Sequence, residues 1–199
     1  MEQIIIQNNV FEKYAQLKSI VLERRESFDR FTRFLEEKTS WLTSPASTRY
    51  HMNIEGGLLA HSVGVTEKAL EIKNLLARDI PDESIVITAL FHDIGKVGYP
   101  GKLYYLPNDN IWEVQKRGIA YKINPEIVTM PIAVRSLYLV SQYIPLTEEE
   151  AQTIVAHDGL YPVKGGVTNL EYHHKECRLQ MIIHFADKWT AAVHEEGRT

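Results

Sequence analysis

The segment Phe91-His92-Asp93-Ile94-Gly95-Lys96 places a histidine and an aspartate side by side at the end of an apolar run. Successive residues of an α-helix point about 100° apart, so these two side chains can converge on one cation only at a fraying last turn. Gly95 marks the end of that helix. The pair therefore predicts a fold in which ligands from distant segments meet a helix end.

Two further candidate ligands lie far from this pair in the sequence. His61 lies 31 residues before His92, within Gly56-Gly57-Leu58-Leu59-Ala60-His61-Ser62, and Asp187 lies near the end of the chain. Each residue taken alone is typical of a surface or a satisfied core position. Together, two imidazoles and two carboxylates predict one compact metal site formed by His61, His92, Asp93 and Asp187.

The ligand types restrict the ion. Imidazole and carboxylate suit borderline or hard divalent ions such as Mn²⁺, Fe²⁺, Co²⁺, Ni²⁺, Zn²⁺ or Mg²⁺, and the sequence does not choose among them. Cys177 is the only cysteine, which excludes an intrachain disulfide and a thiolate-rich zinc site. Four protein ligands on an ion that accepts six leave positions for water and a substrate oxygen.

Apolar spacing predicts a mainly helical chain. Apolar residues recur at steps of three, four and seven between residues 9 and 38, which indicates two amphipathic helices. Thr147 and Glu150 have the spacing of a capping box. Further helices are predicted over residues 58–78, 82–91, 132–143, 147–156 and 171–194, the last with Leu179, Ile182, Ile183 and Phe185 facing inward.

Residues 98–125 interrupt the helical pattern with glycines, prolines and short aromatic pieces. This composition favours a small β-hairpin over a helix. We expect an all-α fold, a helical bundle with a β-hairpin insertion around residues 102–123. Residues 1–199 are expected to form one domain, in which N-terminal helices (1–44) pack on a metal-site core (45–194).

Charge and hydropathy restrict partners and location. The net charge of -4 and pI near 6.1 argue against a surface built mainly to hold nucleic-acid phosphates, but leave small anionic substrates open. The N-terminus has no basic region, and no long apolar run follows it. These features predict a cytoplasmic protein without a membrane anchor, and they leave open whether it forms homo-oligomers.

The ordered pattern His61, His92-Asp93, Asp187 resembles the HD superfamily of metal-dependent phosphohydrolases. The segments Pro45-Ala46-Ser47-Thr48-Arg49-Tyr50-His51 and Glu55-Gly56-Gly57-Leu58-Leu59-Ala60-His61-Ser62 resemble a subgroup of HD-domain hydrolases common in Firmicutes and their phages. The resemblance covers roughly residues 39–189. It implies an all-helical HD-domain bundle, an aromatic hairpin region after the metal pair, and a later helix that ends in a histidine comparable to His157.

The chain departs from this pattern at one position. Related sequences often carry a histidine before the helix that begins near Arg135-Ser136, where this chain has Met130-Pro131-Ile132-Ala133-Val134. In multinuclear HD enzymes that histidine binds a second metal. The resemblance therefore implies one ion here, disfavours a second, and weakens an assignment to HD-like diiron oxygenases.

Several residues are candidates for contact with the substrate, and each has a structural alternative. Lys96 could meet a phosphate or cap the negative end of its helix. Arg49 could bind a phosphate bidentately and His51 could orient or protonate the leaving oxygen, or both could hold the loop. His157 could form the wall of the site or bind a second ion weakly, with Asp158 orienting its ring.

Three functions remain open at this point. The leading hypothesis is hydrolysis of a phosphoester by metal-activated water, on a small phosphorylated substrate such as a nucleotide or on a nucleic-acid end, with Asp93, Lys96 and His157 as catalytic residues. The second is a catalytically inactive sensor that keeps the ion and binds nucleotide. The third is a helical domain in which the ion only supports the fold.

Overall fold

The computed structural model of the chain describes residues 2–159 and 176–195, with side chains described for residues 9–159 and 176–195. Eight α-helices lie within these ranges: α1 (Glu2–Ile20), α2 (Arg25–Lys38), α3 (Gly57–Leu76), α4 (Asp82–Phe91), α5 (Ile111–Arg117), α6 (Ile132–Ser141), α7 (Glu148–Ala156) and α8 (Arg178–Trp189). A 3₁₀ turn (Ile94–Val97) follows α4, and a π-helical turn (Thr190–Glu195) follows α8. The all-α prediction is confirmed.

The predicted helices agree closely with these elements. The capping box of α7 is present, because the Thr147 hydroxyl accepts from Glu150 N–H and the Glu150 carboxylate accepts from Thr147 N–H. The predicted final helix begins later than expected within the described residues, at Arg178, and residues 171–175 lie outside those described. Phe185 was expected to face inward but is 54% exposed.

The insertion contains two β-strands and a short α-helix. Strands β1 (Tyr105–Pro107) and β2 (Tyr121–Ile123) pair antiparallel, with Tyr105 opposite Ile123, which confirms the predicted hairpin. Their connection was not expected to be helical, yet it contains α5. Asn110 explains the difference, because its side chain accepts from Glu113 N–H and caps that helix, while Gly118 ends it at φ +65°.

The N-terminal helices pack on the bundle through aromatic rings. The ring centroids of Phe28 and Phe31 of α2 lie 5.6 and 4.9 Å from the ring centroid of Phe91 at the end of α4. Trp41, which is fully buried, donates from Nε1 to the Tyr14 hydroxyl of α1. The residue just before His92 is thus fixed in the largest apolar cluster of the described residues.

The apolar face of α3 joins the remaining helices. It packs against α4 and α8 through a second cluster that includes Val65, Ile85 and Ile183. The start of α6 packs against the 3₁₀ turn, where Gly95 N–H donates to Ser136 Oγ. The ends of α4 and α8 and the first turn of α3 therefore meet in the interior. No helix of the described ranges is long and apolar enough to span a membrane.

One guanidinium group joins the connection between α1 and α2 to two other helices. Arg24 donates from Nε to Glu83 at 2.6 Å and from both terminal nitrogens to Glu150 at 2.7 and 2.8 Å. The side chain of Glu150 is 1% exposed and that of Glu83 is 9% exposed. Arg24 thus bridges two buried carboxylates, one at the start of α4 and one at the start of α7.

We expect Arg24→Ala to lower the free energy of unfolding by about 3–5 kcal/mol, because it leaves two buried carboxylates without their cation. Arg25→Ala is the matched control, since the adjacent Arg25 pairs with Asp29 at the surface and such a pair contributes about 0.5 kcal/mol. Urea unfolding of both variants measures the difference. Equal losses would show that the Arg24 bridge has no special role in stability.

Candidate metal centre

Three helices and one turn bring the predicted ligands together. His61 lies in the first two turns of α3, His92 and Asp93 lie between α4 and the 3₁₀ turn, and Asp187 lies in the last turn of α8. Both imidazoles are fully buried, whereas the side chain of Asp187 is 20% exposed. The site therefore reaches solvent on the side of Asp187.

Two imidazole nitrogens and a carboxylate oxygen face one another. Asp187 Oδ1 lies 3.0 Å from His61 Nε2 and 3.8 Å from His92 Nε2. The shorter contact lacks the angle of a hydrogen bond, and both Nε2 atoms are without a hydrogen-bond partner within the described residues. The three ligand atoms lie within 4.8 Å of one another. A divalent cation would satisfy the orphaned nitrogens, so the donor set fits such an ion.

Asp93 belongs to a second group that overlaps the first. Its carboxylate oxygens lie 3.5 Å from His92 Nε2 and 3.7 Å from His157 Nε2, and these three residues also offer ligand atoms within 4.8 Å of one another. His92 is common to both groups. The four predicted ligands are therefore gathered around His92, and His157 is a fifth donor beside them.

Backbone carbonyls fix the orientation of two of the rings. His92 Nδ1 lies 2.7 Å from the carbonyl of Ala89, and His157 Nδ1 lies 2.8 Å from the carbonyl of Ile154. Each contact requires a hydrogen on Nδ1. The Nε2 atoms consequently point into the centre, in the arrangement of metal-binding histidines.

Opposite charges are concentrated in this buried space. Burial lowers the pKa of His61, but the carboxylates of Asp187 and Glu195 outweigh it and raise that pKa to about 10. Burial also lowers the pKa of His92, and Asp93 with Asp187 reverses the shift. Burial raises the pKa of Asp187, yet the imidazoles hold it below its ordinary value. A proton on the His61 imidazole thus faces the carboxylates that a bound cation would meet.

Lys96 lies inside the centre rather than at the helix surface. Its ammonium group is 2.5 Å from Asp93 Oδ2, and the residue is 9% exposed. Burial lowers the pKa of Lys96, but the charge and hydrogen bond of Asp93 together with the charges of Tyr105 and Asp187 raise it by more, so the ammonium stays charged. Burial raises the pKa of Asp93, and Lys96 with His92 holds it well below its ordinary range.

The loop before α3 delivers His51 to the centre. The ring centroids of His51 and His61 are 5.0 Å apart. The chain turns at Met52 with φ +47°, and a Cβ on Gly57 would lie 2.1 Å from the Met52 carbonyl oxygen. Glycine is required at position 57 for this close approach. Strain of this kind is typical of loops held in place for function.

The two substrate candidates of this loop occupy different environments. His51 is half-buried, and burial together with the charge of His61 lowers its pKa, which favours the neutral ring. Arg49 is exposed, and its guanidinium stacks on the Tyr50 ring at 5.8 Å from the centroid. Within the described part of the chain Arg49 makes no ion pair, so it is available at the surface beside the site.

Other candidates have smaller or different roles. Asp158 Oδ1 lies 3.6 Å from His157 Nε2, beyond hydrogen-bond distance, so the Ile154 carbonyl orients that ring instead of the expected aspartate. His184 contacts the His157 carbonyl through Nδ1 at 2.6 Å. Among the aromatic residues of the insertion, Tyr104 and Tyr105 are buried as anchors, whereas Trp112 is 61% exposed.

Two residues of the site were not predicted. Glu195, near the end of the chain, places Oε1 3.0 Å from His61 Nδ1. Arg135 of α6 is 5% exposed, lies 5.7 Å from the ring centroid of Tyr104, and has no carboxylate partner among the residues described. A Cβ on Gly95 would lie 3.1 Å from Arg135 Cβ, so the base of this side chain packs on the turn that carries Lys96, while its guanidinium donates to the Val128 carbonyl at 2.5 Å. Neither residue belongs to a local motif.

Comparison with known proteins identifies one match. The family model of the HD domain matches residues 58–192, about two thirds of the chain. The match spans His61, His92, Asp93 and Asp187, and it ends before Glu195. No curated protein and no solved structure matches the chain.

Metal affinity should depend on pH. A cation that binds His61 Nε2 must displace a proton, because the pKa of this imidazole in the metal-free protein is about 10. Between pH 6 and pH 8 we therefore expect the affinity for Mn²⁺ to rise at least about tenfold per pH unit. Calorimetric titration at several pH values, in buffers of different ionisation enthalpy, measures both affinity and proton release. A pH-independent affinity without proton release would contradict the protonated centre.

Proposed function

The chain belongs to the HD domain family, and we propose that it is a metal-dependent phosphohydrolase that cleaves a phosphoester bond. The observation that carries this proposal is the convergence of the buried Nε2 atoms of His61 and His92, neither of which has a hydrogen-bond partner among the described residues, on the carboxylate of Asp187. A purely structural role would not need an orphaned pair beside a partly exposed carboxylate. The arrangement instead suits a cation that also receives ligands from solvent.

We propose that His61, His92, Asp93 and Asp187 hold one divalent ion. When bound, such an ion lowers the pKa of a coordinated water and polarises a phosphoryl oxygen. The position of Asp93 supports its role as a ligand, since its carboxylate lies 3.5 Å from His92 Nε2 and contacts Lys96. The absence of a histidine at residues 130–134 is the basis for proposing a single ion.

The cations of the chain favour a phosphate substrate. Lys96 stays charged beside Asp93 and can stabilise the negative charge that grows on the phosphoryl oxygens. Arg135 is buried beside the same turn, and its guanidinium donates to the Val128 carbonyl and has no carboxylate partner among the described residues. Exposed Arg49 can bind a phosphate from the loop. Charges placed in this way attract an anion toward the carboxylate-rich centre.

Hydrolysis requires one proton to move. As the water oxygen bonds to phosphorus and the ester P–O bond breaks, the proton lost by water must reach the leaving oxygen. His51 is suited to carry it, because its lowered pKa keeps the ring neutral and ready to accept a proton. His157, which lies beside Asp93, forms the wall opposite and can orient the phosphoryl group.

We propose a nucleotide, or the end of a nucleic acid, as the substrate class. The ring of Tyr50 is 67% exposed next to His51 and offers a face on which a base can stack. The insertion borders the same loop, where Asn53 Nδ2 donates to the Gly118 carbonyl. The net charge of -4 favours a small substrate over a long polyanion.

A panel of nucleotides, short oligonucleotides and bis(p-nitrophenyl) phosphate tests the activity. Protein loaded with Mn²⁺, Co²⁺ or Ni²⁺ should release phosphate or nitrophenolate from at least one member, and His92→Ala should abolish that release. Tight nucleotide binding with every substrate left intact would instead support the second candidate function. That candidate is a sensor that binds metal and nucleotide without turnover, and the missing second-metal histidine favours it.

We expect Lys96→Met to lower kcat/KM about 10²- to 10³-fold, because the variant removes a cation that faces developing negative charge. Lys38→Met, at the exposed end of α2, is the control and should keep wild-type kinetics. The metal affinity of both variants should be measured in parallel, since Lys96 also contacts Asp93. Unchanged turnover in metal-loaded Lys96→Met would remove Lys96 from the mechanism.

A further inference from the structure

The second nitrogen of His61 has a partner outside the region that matches the family. Glu195 Oε1 lies 3.0 Å from His61 Nδ1, and the side chain of Glu195 is 8% exposed. Its other oxygen, Oε2, is buried and has no hydrogen-bond partner within the described residues. Among the described residues, His61 thus makes the close contact with this buried carboxylate, and a ring nitrogen of His51 lies within 4.8 Å of both groups.

The geometry points to Glu195 as a positioning residue for the metal centre. We propose that its carboxylate accepts the Nδ1 hydrogen of His61 and thereby holds Nε2 free as the ligand atom. Carboxylates act on metal-binding histidines in this way, by fixing the tautomer and ring orientation and raising ligand basicity. This inference rests on the proposed metal centre and adds a residue that acts on the ion only through His61.

Three of the histidines at the centre, His61, His92 and His157, are fixed in two ways. His92 and His157 contact the carbonyls of residues three positions earlier, so their own helices orient them. The Nδ1 atom of His61 instead contacts a residue 134 positions away. The carboxylate of Glu195 thus fixes the orientation of the His61 ring, as a local carbonyl fixes the orientation of the other two rings.

The π-helical turn explains how one chain segment reaches both nitrogens of His61. Eight residues of regular α-helix would leave Glu195 about 80° around the helix from Asp187. The turn Thr190–Glu195 has wider hydrogen bonding, which changes this angle and brings Glu195 toward His61. Asp187 then faces Nε2 while Glu195 faces Nδ1.

The packing of this turn supports its role. Gly64 of α3 lies one turn after His61, and a Cβ on Gly64 would lie 3.1 Å from the Thr190 side chain. The absence of a side chain at Gly64 allows the π-helical turn to pack directly on α3. Thr190 itself is 2% exposed. The position of Glu195 is therefore set by contact between α3 and the turn.

Titration with Co²⁺ tests the proposal, because visible absorption reports the ligand field and calorimetry gives the affinity. Glu195→Ala should weaken Co²⁺ binding about 10- to 100-fold and alter the absorption bands. Glu195→Gln keeps an acceptor oxygen and should recover most of the affinity and the wild-type bands. Glu12→Ala, at an exposed position of α1, should match the wild type. Circular dichroism checks that each variant is folded.

The outcomes separate this proposal from the proposed function. Wild-type affinity in Glu195→Ala would overturn the positioning role while leaving the metal centre intact. Equal losses in Glu195→Ala and Glu195→Gln would also overturn it, because Glu195 would then act through its charge or as a ligand. A wild-type protein that binds no Co²⁺ would overturn both proposals. Should Glu195→Ala unfold, the comparison of Glu195→Gln with the wild type still decides.

Discussion

The packing of the helices holds two imidazole nitrogens, His61 Nε2 and His92 Nε2, in the interior, where neither has a hydrogen-bond partner among the described residues. A buried polar atom without a partner costs about 1–3 kcal/mol, so this arrangement needs compensation. The apolar clusters on either side of α4 supply it, because they fix Phe91 next to His92 and hold α3 against α8. The centre is thus positioned by packing and left unsatisfied for a cation.

Much of the architecture could be predicted from the sequence because its causes are local. Helical periodicity marked the elements, and the Thr147 and Glu150 spacing predicted a cap that the structure confirms. The short helix α5 was not predicted, because its seven residues give too little periodicity and its cap, Asn110, ends the run of turn-forming residues Pro107-Asn108-Asp109-Asn110. Phe185 was placed inside by periodicity, although more than half of its surface is exposed.

The residues of the site also differ in whether the sequence predicts them. His61, His92, Asp93 and Asp187 follow a recognisable order, and the structure gathers them around His92. Glu195 has no sequence signal, since one glutamate near the end of a chain is ordinarily solvated and its contact depends on a π-helical turn. Arg135 was missed for a related reason, because its burial depends on how α6 packs on the 3₁₀ turn. The positions of such residues depend on long-range packing, which the local sequence does not reveal.

Anomalous diffraction from crystals of the protein grown with Mn²⁺ would show directly whether an ion binds at this centre. We expect one strong peak bounded by His61 Nε2, His92 Nε2 and the carboxylates of Asp93 and Asp187. Lys96 should remain next to the peak without binding the ion. A Mn²⁺ peak only elsewhere in the molecule, or none at this position in saturated crystals, would show that these four residues do not hold the ion.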